Sequence, residues 1–147
     1  MKFQNPPDDE IRAFLLRIRT IAVVGLSPRT TRPSHRVARS LQGYGYRIIP
    51  VRPAVDEVLG ERAYANLRAL PQKPDLVDVF RAPEYVPAIV DDCIALGMPA
   101  LWLQMGVIDV EAALRARAAG MFVVMDRCVY RDYAGFFGDT PLRSLSG

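Results

Sequence analysis

The chain has 147 residues, 50% of them apolar and 24% charged, which predicts one domain over 1–147, since domains typically run about 100–150 residues. That length buries a core without staples, and the composition excludes a disordered tail, a collagen-like fibre and a disulfide-dense mini-protein. The net charge is only +3, yet residues 11 to 55 hold nine arginines (Arg12, Arg17, Arg19, Arg29, Arg32, Arg36, Arg39, Arg47, Arg52) and no Asp or Glu.

In chain order, Asp8 is placed to cap a helix over 9–19, with Ile11, Phe14, Leu15 and Ile18 on one face. Ile21-Ala22-Val23-Val24-Gly25 is short, apolar and rich in β-branched residues, which predicts a buried strand. A polar loop over 26–33 leads to a helix over 34–44, with Val37 and Leu41 inward and Gly43 and Gly45 ending it. A second strand spans 46–51. The stretch 54–74 is less regular, with a short strand near 62–64 and a helical turn near 66–70.

A strand over 76–80 follows, then a helix that begins by Pro87 and stops at Gly97. Residues 100–104 read as a strand, Asp109 caps a helix running to Gly120, and 122–125 is the last strand. Tyr130, Tyr133 and Phe137 at helical spacing predict one more helix packed on the sheet. Strands alternating with helices point to βαβ units and a parallel sheet. Near-continuous apolar strands require both faces to be covered. The expected fold is α/β: a doubly wound, Rossmann-like, mostly parallel sheet of five to six strands.

No run of 18 apolar residues is present, so no transmembrane helix is expected. The segment Met1-Lys2-Phe3-Gln4-Asn5-Pro6-Pro7 lacks the apolar stretch of a signal peptide. Cys93 and Cys128 fit no metal spacing, and His35 is the only histidine, so no metal site is expected. A cytoplasmic, reducing location is the simplest expectation.

In such sheets ligands bind beyond the carboxyl ends of the strands. That selects 25–34, Val51-Arg52-Pro53, Phe80-Arg81, Gln104-Met105-Gly106 and Asp126-Arg127-Cys128. The first reads Gly25-Leu26-Ser27-Pro28-Arg29-Thr30-Thr31-Arg32-Pro33-Ser34: a strand ends in Gly, hydroxyls and arginines follow, and a helix begins. Helix N-termini bind phosphate through unpaired N–H groups and partial positive charge. The G-x-G-x-x-G fingerprint is absent, with Ser27 and Thr30 in its later positions. The acid that holds the ribose of NAD is replaced by Arg52, which suits a phosphorylated ribose. NADP and coenzyme A both carry one.

These residues also carry a resemblance. Ile21-Ala22-Val23-Val24-Gly25-Leu26-Ser27 and Arg32-Pro33-Ser34 resemble the opening of small bacterial CoA-binding proteins, single-domain relatives of the CoA-binding domain of the succinyl-CoA synthetase alpha subunit. Further matching blocks follow in order. They are Tyr46-Arg47-Ile48-Ile49-Pro50-Val51, Glu57-Val58-Leu59-Gly60-Glu61, Val77-Asp78-Val79-Phe80-Arg81, Leu101-Trp102-Leu103-Gln104-Met105-Gly106 and Val124-Met125-Asp126-Arg127-Cys128. The resemblance covers about 10–130. It implies a site for coenzyme A or an acyl-CoA, with Gly25, Leu26 and Ser27 against the phosphates and Arg32, Pro33 and Ser34 closing over them. It further implies that the Phe80–Arg81 pair, and Trp102, Leu103 and Gln104 beside the pantetheine path, belong to the site, to which the strand-end position adds Val51 and Arg52. The chain departs from the family at Arg52, where Val-Asn-Pro is common, and at Tyr133, near which a His is common.

No Ser-His-Asp set or paired carboxylates stand out, so no self-contained catalysis is expected. His35 is read as a surface or phosphate-contacting residue, Asp126 as a cap, and Cys128 as a small residue at a strand end. Asp78 either bonds nearby backbone or belongs to the site's edge. The alternative reading is an NADP-binding oxidoreductase or redox-sensing module. A nucleic-acid-binding role lacks any reading motif and is not expected. The expected partner is a small-molecule CoA ligand, without a membrane or nucleic acid; a homodimer or an unknown protein partner stays open.

Overall fold

The computed structural model describes residues 2–145. The apolar runs form β1 (Thr20–Val24), β2 (Arg47–Val51), β5 (Leu76–Val79), β6 (Ala100–Leu103) and β7 (Phe122–Met125); between them lie the two-residue β3 (Glu57–Val58) and β4 (Glu61–Arg62). The five longer strands form one parallel sheet in the order β2-β1-β5-β6-β7. The strand order reverses at β1, so the crevice between β1 and β5 is the topological switch point.

Period-two alternation splits each strand between two cores. Ile21, Val23, Ile48, Leu76, Trp102 and Val124 face α1 (Asp8–Arg17), α2 (Pro33–Tyr44) and α5 (Val129–Phe137). Ala22, Val24, Val77, Val79, Leu101 and Val123 face α3 (Val86–Leu96) and α4 (Val110–Ala118). The tail helix fills the first core with aromatics. Tyr133 stacks on Tyr44 at 3.8 Å between ring centroids and meets Tyr46 edge-on at 5.8 Å, while its hydroxyl donates to Thr140 O at 2.6 Å.

Local chemistry sets the boundaries. Asp109 caps α4 as expected, accepting from the N–H of Ala112 at 3.0 Å. At α1 the cap position falls on Pro7 instead of Asp8; Asp8, Asp9 and Glu10 form the first turn, where negative charge suits the helix dipole. Gly45, at φ +115°, ends α2.

The 54–74 stretch adds no strand to the sheet ladder. The β3–β4 hairpin turns at Leu59 and Gly60, with φ of 55° and 76°, as a tight two-residue hairpin turn requires. Tyr64 makes one parallel bridge to Val51 and partly covers the β2 edge. The opposite edge is covered by the N-terminal segment: Asn5 Nδ2 donates to Met125 O at 2.9 Å, and its Oδ1 accepts from Met125 N–H at 2.8 Å. Among the described residues no helix is long and apolar enough to cross a membrane.

Candidate ligand cavity at the carboxyl edge of the sheet

β1 runs out of side chain at Gly25, and the backbone there is pressed against β5. Gly25 N–H donates to Val51 O at 2.8 Å, and Phe80 N–H donates to Val24 O at 2.8 Å. With φ +85°, Gly25 leaves no room for a side chain: a Cβ would sit 2.9 Å from Arg81 Cδ and collide with the Phe80 carbonyl oxygen. The loop then closes on itself through its hydroxyls. Ser34 Oγ accepts from Ser27 N–H at 3.0 Å, and Ser27 Oγ accepts from Arg29 N–H at 3.1 Å. Each oxygen uses an acceptor site in the protein and keeps its O–H to donate. Pro33 opens α2, and no acid occupies its first turn, so the positive end of the helix dipole is uncompensated.

These residues border an open cavity of about 1230 Å³ along the carboxyl edge of the sheet. One side is α2, which presents Pro33, Arg36, Val37 and Ser40 at the i, i+3, i+4, i+7 spacing of one helical face. Arg52, Pro53, Ala54 and Val55 follow the end of β2; Phe80 and Arg81 follow β5; Gln104, Met105 and Val107 follow β6; Cys128, Tyr130 and Arg131 close the far side. Among the described residues six arginines border this space (Arg29, Arg32, Arg36, Arg52, Arg81, Arg131) and no Asp or Glu does. Among the described residues the salt bridges join Arg68, Arg115 and Arg127 to Asp92, Asp91, Asp8 and Asp132, and none of the six takes part. Arg52 Nη1 donates to Gly25 O at 3.3 Å, and Arg81 lies over the Tyr85 ring at 4.0 Å. The cavity is an uncompensated cationic surface with hydroxyl donors at one end, suited to a polyanion.

Behind Gln104 the chemistry is different. Asp78 lies within β5, fully buried, and its Oδ1 accepts from Gln104 Nε2 at 2.7 Å. Among the described residues its Oδ2 has no partner. Burial pushes the Asp78 carboxyl up to about 7, with the Gln104 bond opposing the rise. Burial likewise raises the Cys128 thiol; N–H groups of Arg131 and Tyr130 oppose this, and nearby Asp78 adds to it. The thiol therefore stays protonated at neutral pH. Among the described residues no group of His, Cys, Asp and Glu is arranged to hold a metal.

Residues 19–134 match the CoA-binding domain family. The chain belongs to that family. It is 40% identical over 126 residues to the uncharacterized protein YneT of Bacillus subtilis, covering 86% of this chain and 93% of that protein. A hypothetical protein from Pyrococcus horikoshii superposes with a TM-score of 0.86 at 33% identity, over 94% of this chain and 100% of that one. The dinucleotide-forming acetyl-coenzyme A synthetase 1 of Ca. Korarchaeum cryptofilum, solved with phosphate and ADP, superposes at 0.67 with 25% identity; the match spans 82% of this chain and 28% of that one.

The family's sequence blocks divide in the structure between wall and core. Gly25, Ser27, Arg32, Pro33, Ser34, Arg52, Phe80, Arg81 and Gln104 come together on the cavity wall. Leu26, Val51, Trp102 and Leu103 do not: all four are buried in the two cores. The Trp102 indole N–H donates to Arg127 O at 2.8 Å, so this residue braces the end of β7 from within. His35 is also buried, with Nδ1 unpartnered, and lies off the wall. Asp126 does not cap α5. It adopts φ +60°, and its Oδ1 accepts from Gly106 N–H at 2.8 Å, tying together the exits of β6 and β7.

Proposed function

We propose that this chain binds coenzyme A or an acyl-CoA along the carboxyl edge of its sheet, as a single unit over 1–147 and without a catalytic step of its own. The observation that carries the reading is the cavity wall with six arginines, none ion-paired among the described residues, and no acid, in a chain of the CoA-binding domain family. Coenzyme A brings a diphosphate and a 3′-phosphate. The diphosphate fits the free hydroxyl donors of Ser27 and Ser34 at the start of α2, with Gly25 allowing its close approach. Arg32 and Arg52 flank that point and supply charge-assisted hydrogen bonds. Gln104 stands on the side away from the phosphates, beside the pantetheine arm.

Arg52 at the end of β2 supports a second reading, an NADP-binding module, because it also suits a 2′-phosphate. Against it, Ser27 stands where a dinucleotide loop has Gly. Isothermal titration with coenzyme A, acetyl-CoA, NADP and NAD separates the two. Micromolar or tighter binding of coenzyme A or acetyl-CoA, with no heat from NAD, is expected. Heat from NADP alone overturns the reading.

A further inference from the structure

Asp78 is unexplained by the fold. It lies between Val77 and Val79 on a strand buried on both faces, where another β-branched residue would pack at no electrostatic cost. A buried carboxyl that makes one hydrogen bond is a net liability to the core. Its single partner is the side chain of Gln104, 26 residues on, and its second oxygen has none. Gln104 in turn is only 4% exposed, and that exposure is on the cavity wall.

A carboxamide offers a donor group and an acceptor group. The Asp78 oxygen takes the donor, and it accepts whether the carboxyl is ionised or holds a proton on its other oxygen. The Gln104 NH₂ is thereby turned toward the floor and Oε1 toward the cavity. The rest of the polar wall is dominated by six guanidinium groups, which only donate, and by hydroxyls, of which those of Ser27 and Ser34 already accept within the loop. Gln104 Oε1 is thus an acceptor-only atom on a wall rich in donors, and an ionised phosphate offers it nothing. An amide N–H is its complement. Coenzyme A carries such groups only in the pantetheine arm, which has two. Gln104 lies two interstrand spacings from the β1 loop, about 10 Å, a distance an extended arm covers.

We propose that Asp78 is a positioning residue that holds the Gln104 carbonyl toward the cavity to accept from a pantetheine amide N–H, setting a preference for the whole coenzyme over its 3′,5′-ADP fragment. This rests on the coenzyme A reading. Titrations of coenzyme A and of 3′,5′-ADP are compared for the native chain and for Asp78→Leu, Asp78→Asn and Gln104→Leu, with thermal melting of each. The native chain binds coenzyme A more tightly than 3′,5′-ADP. Asp78→Leu and Gln104→Leu each cut that advantage about 5- to 10-fold, one neutral hydrogen bond's worth, and leave 3′,5′-ADP affinity unchanged. Asp78→Asn keeps the accepting oxygen and restores the advantage, and combining Asp78→Leu with Gln104→Leu adds no further loss. An unchanged ratio in Asp78→Leu overturns the inference and leaves the coenzyme A reading standing. Equal weakening of both ligands makes Asp78 merely structural and also overturns it. Absence of coenzyme A binding by the native chain overturns both.

Discussion

The amino ends of β1 and β5 can be set against their carboxyl ends. At the amino end Asp75 Oδ2 accepts from the N–H of Arg19 at 2.8 Å and of Thr20 at 3.1 Å, and Thr20 Oγ1 accepts from Asp75 N–H at 2.8 Å. One carboxylate and one hydroxyl close the strand starts by satisfying the backbone. At the carboxyl end of the sheet, Asp78 in β5 has one partner and an orphaned oxygen, and Arg52 after β2 and Arg81 after β5 have no counter-ion among the described residues. Both ends place polar groups beside buried strands, but the amino end uses them wholly on the backbone, whereas the carboxyl end leaves guanidinium groups without counter-ions among the described residues. The buried Asp78 oxygen costs stability, while the guanidinium groups of Arg52 and Arg81 border the cavity and are available to a ligand.

The largest disruption is expected where the two roles share one residue. Gly25→Val forces a β-branched side chain into φ +85° and against the Phe80 carbonyl, a strain of roughly 3 kcal/mol or more. Melting should fall by many degrees, and coenzyme A binding should be lost with the loop geometry; a variant that still binds tightly would show that the loop is not the phosphate site.

Asp78 should reveal its cost through pH. Its carboxyl titrates near 7 in the fold and near 4 when unfolded, so between those values the native state binds the extra proton. The Asp78 contribution to stability is then greatest below about pH 4, declines as pH rises toward about 7, and levels off above it. Asp78→Asn removes this decline, which amounts to a few kcal/mol at most. Urea unfolding of both proteins from pH 4 to 8 measures it, and parallel curves would place the Asp78 pKa elsewhere.

At the amino end, Asp75→Ala strips two backbone N–H groups of their acceptor, with an expected loss of about 2 kcal/mol and an unchanged Kd for coenzyme A. Arg52→Ala should do the reverse. Losing one charge-assisted contact weakens coenzyme A about tenfold, or ~1.4 kcal/mol, and leaves the unfolding midpoint nearly where it was. If either variant moved both quantities together, the division between the two ends would fail.

What could be read from the sequence was what is local. Every apolar run of the main sheet is a strand to within about a residue, because strands buried on both faces read as continuous apolar segments. The loop from Gly25 to Ser34 was legible for the same reason, since strand end, hydroxyls and helix start are contiguous. Matching whole blocks could not separate wall from core. Trp102 and Leu103 face opposite sides of the sheet and are both buried, while Gln104, one residue past the strand, reaches the cavity. The α2 face carrying Arg36, Val37 and Ser40 had a usable signal in its helical spacing. The Asp78–Gln104 bond had none, because it depends on β5 and β6 pairing in register, and Asp78 is opposite Trp102 in that ladder.

Asn5 gives the smallest expected effect and tests how far the carboxyl end depends on distant support. Its carboxamide stands in for a neighbouring strand, donating to and accepting from Met125 at 2.9 and 2.8 Å across 120 residues of sequence. Met125 immediately precedes Asp126, Arg127 and Cys128, so the brace fixes where β7 hands the chain to the cavity's far side. Asn5→Ala leaves both backbone groups on an edge that water can reach, so they are resolvated and the cost is about 1 kcal/mol. Faster amide exchange should be confined to the end of β7, since the ladder with β6 is intact on the other side. Coenzyme A affinity should change by less than about twofold, because the loop proposed to hold the phosphates lies at β1, three strands away. A larger loss of affinity would mean that the end of β7 and the cavity's far side contribute to binding.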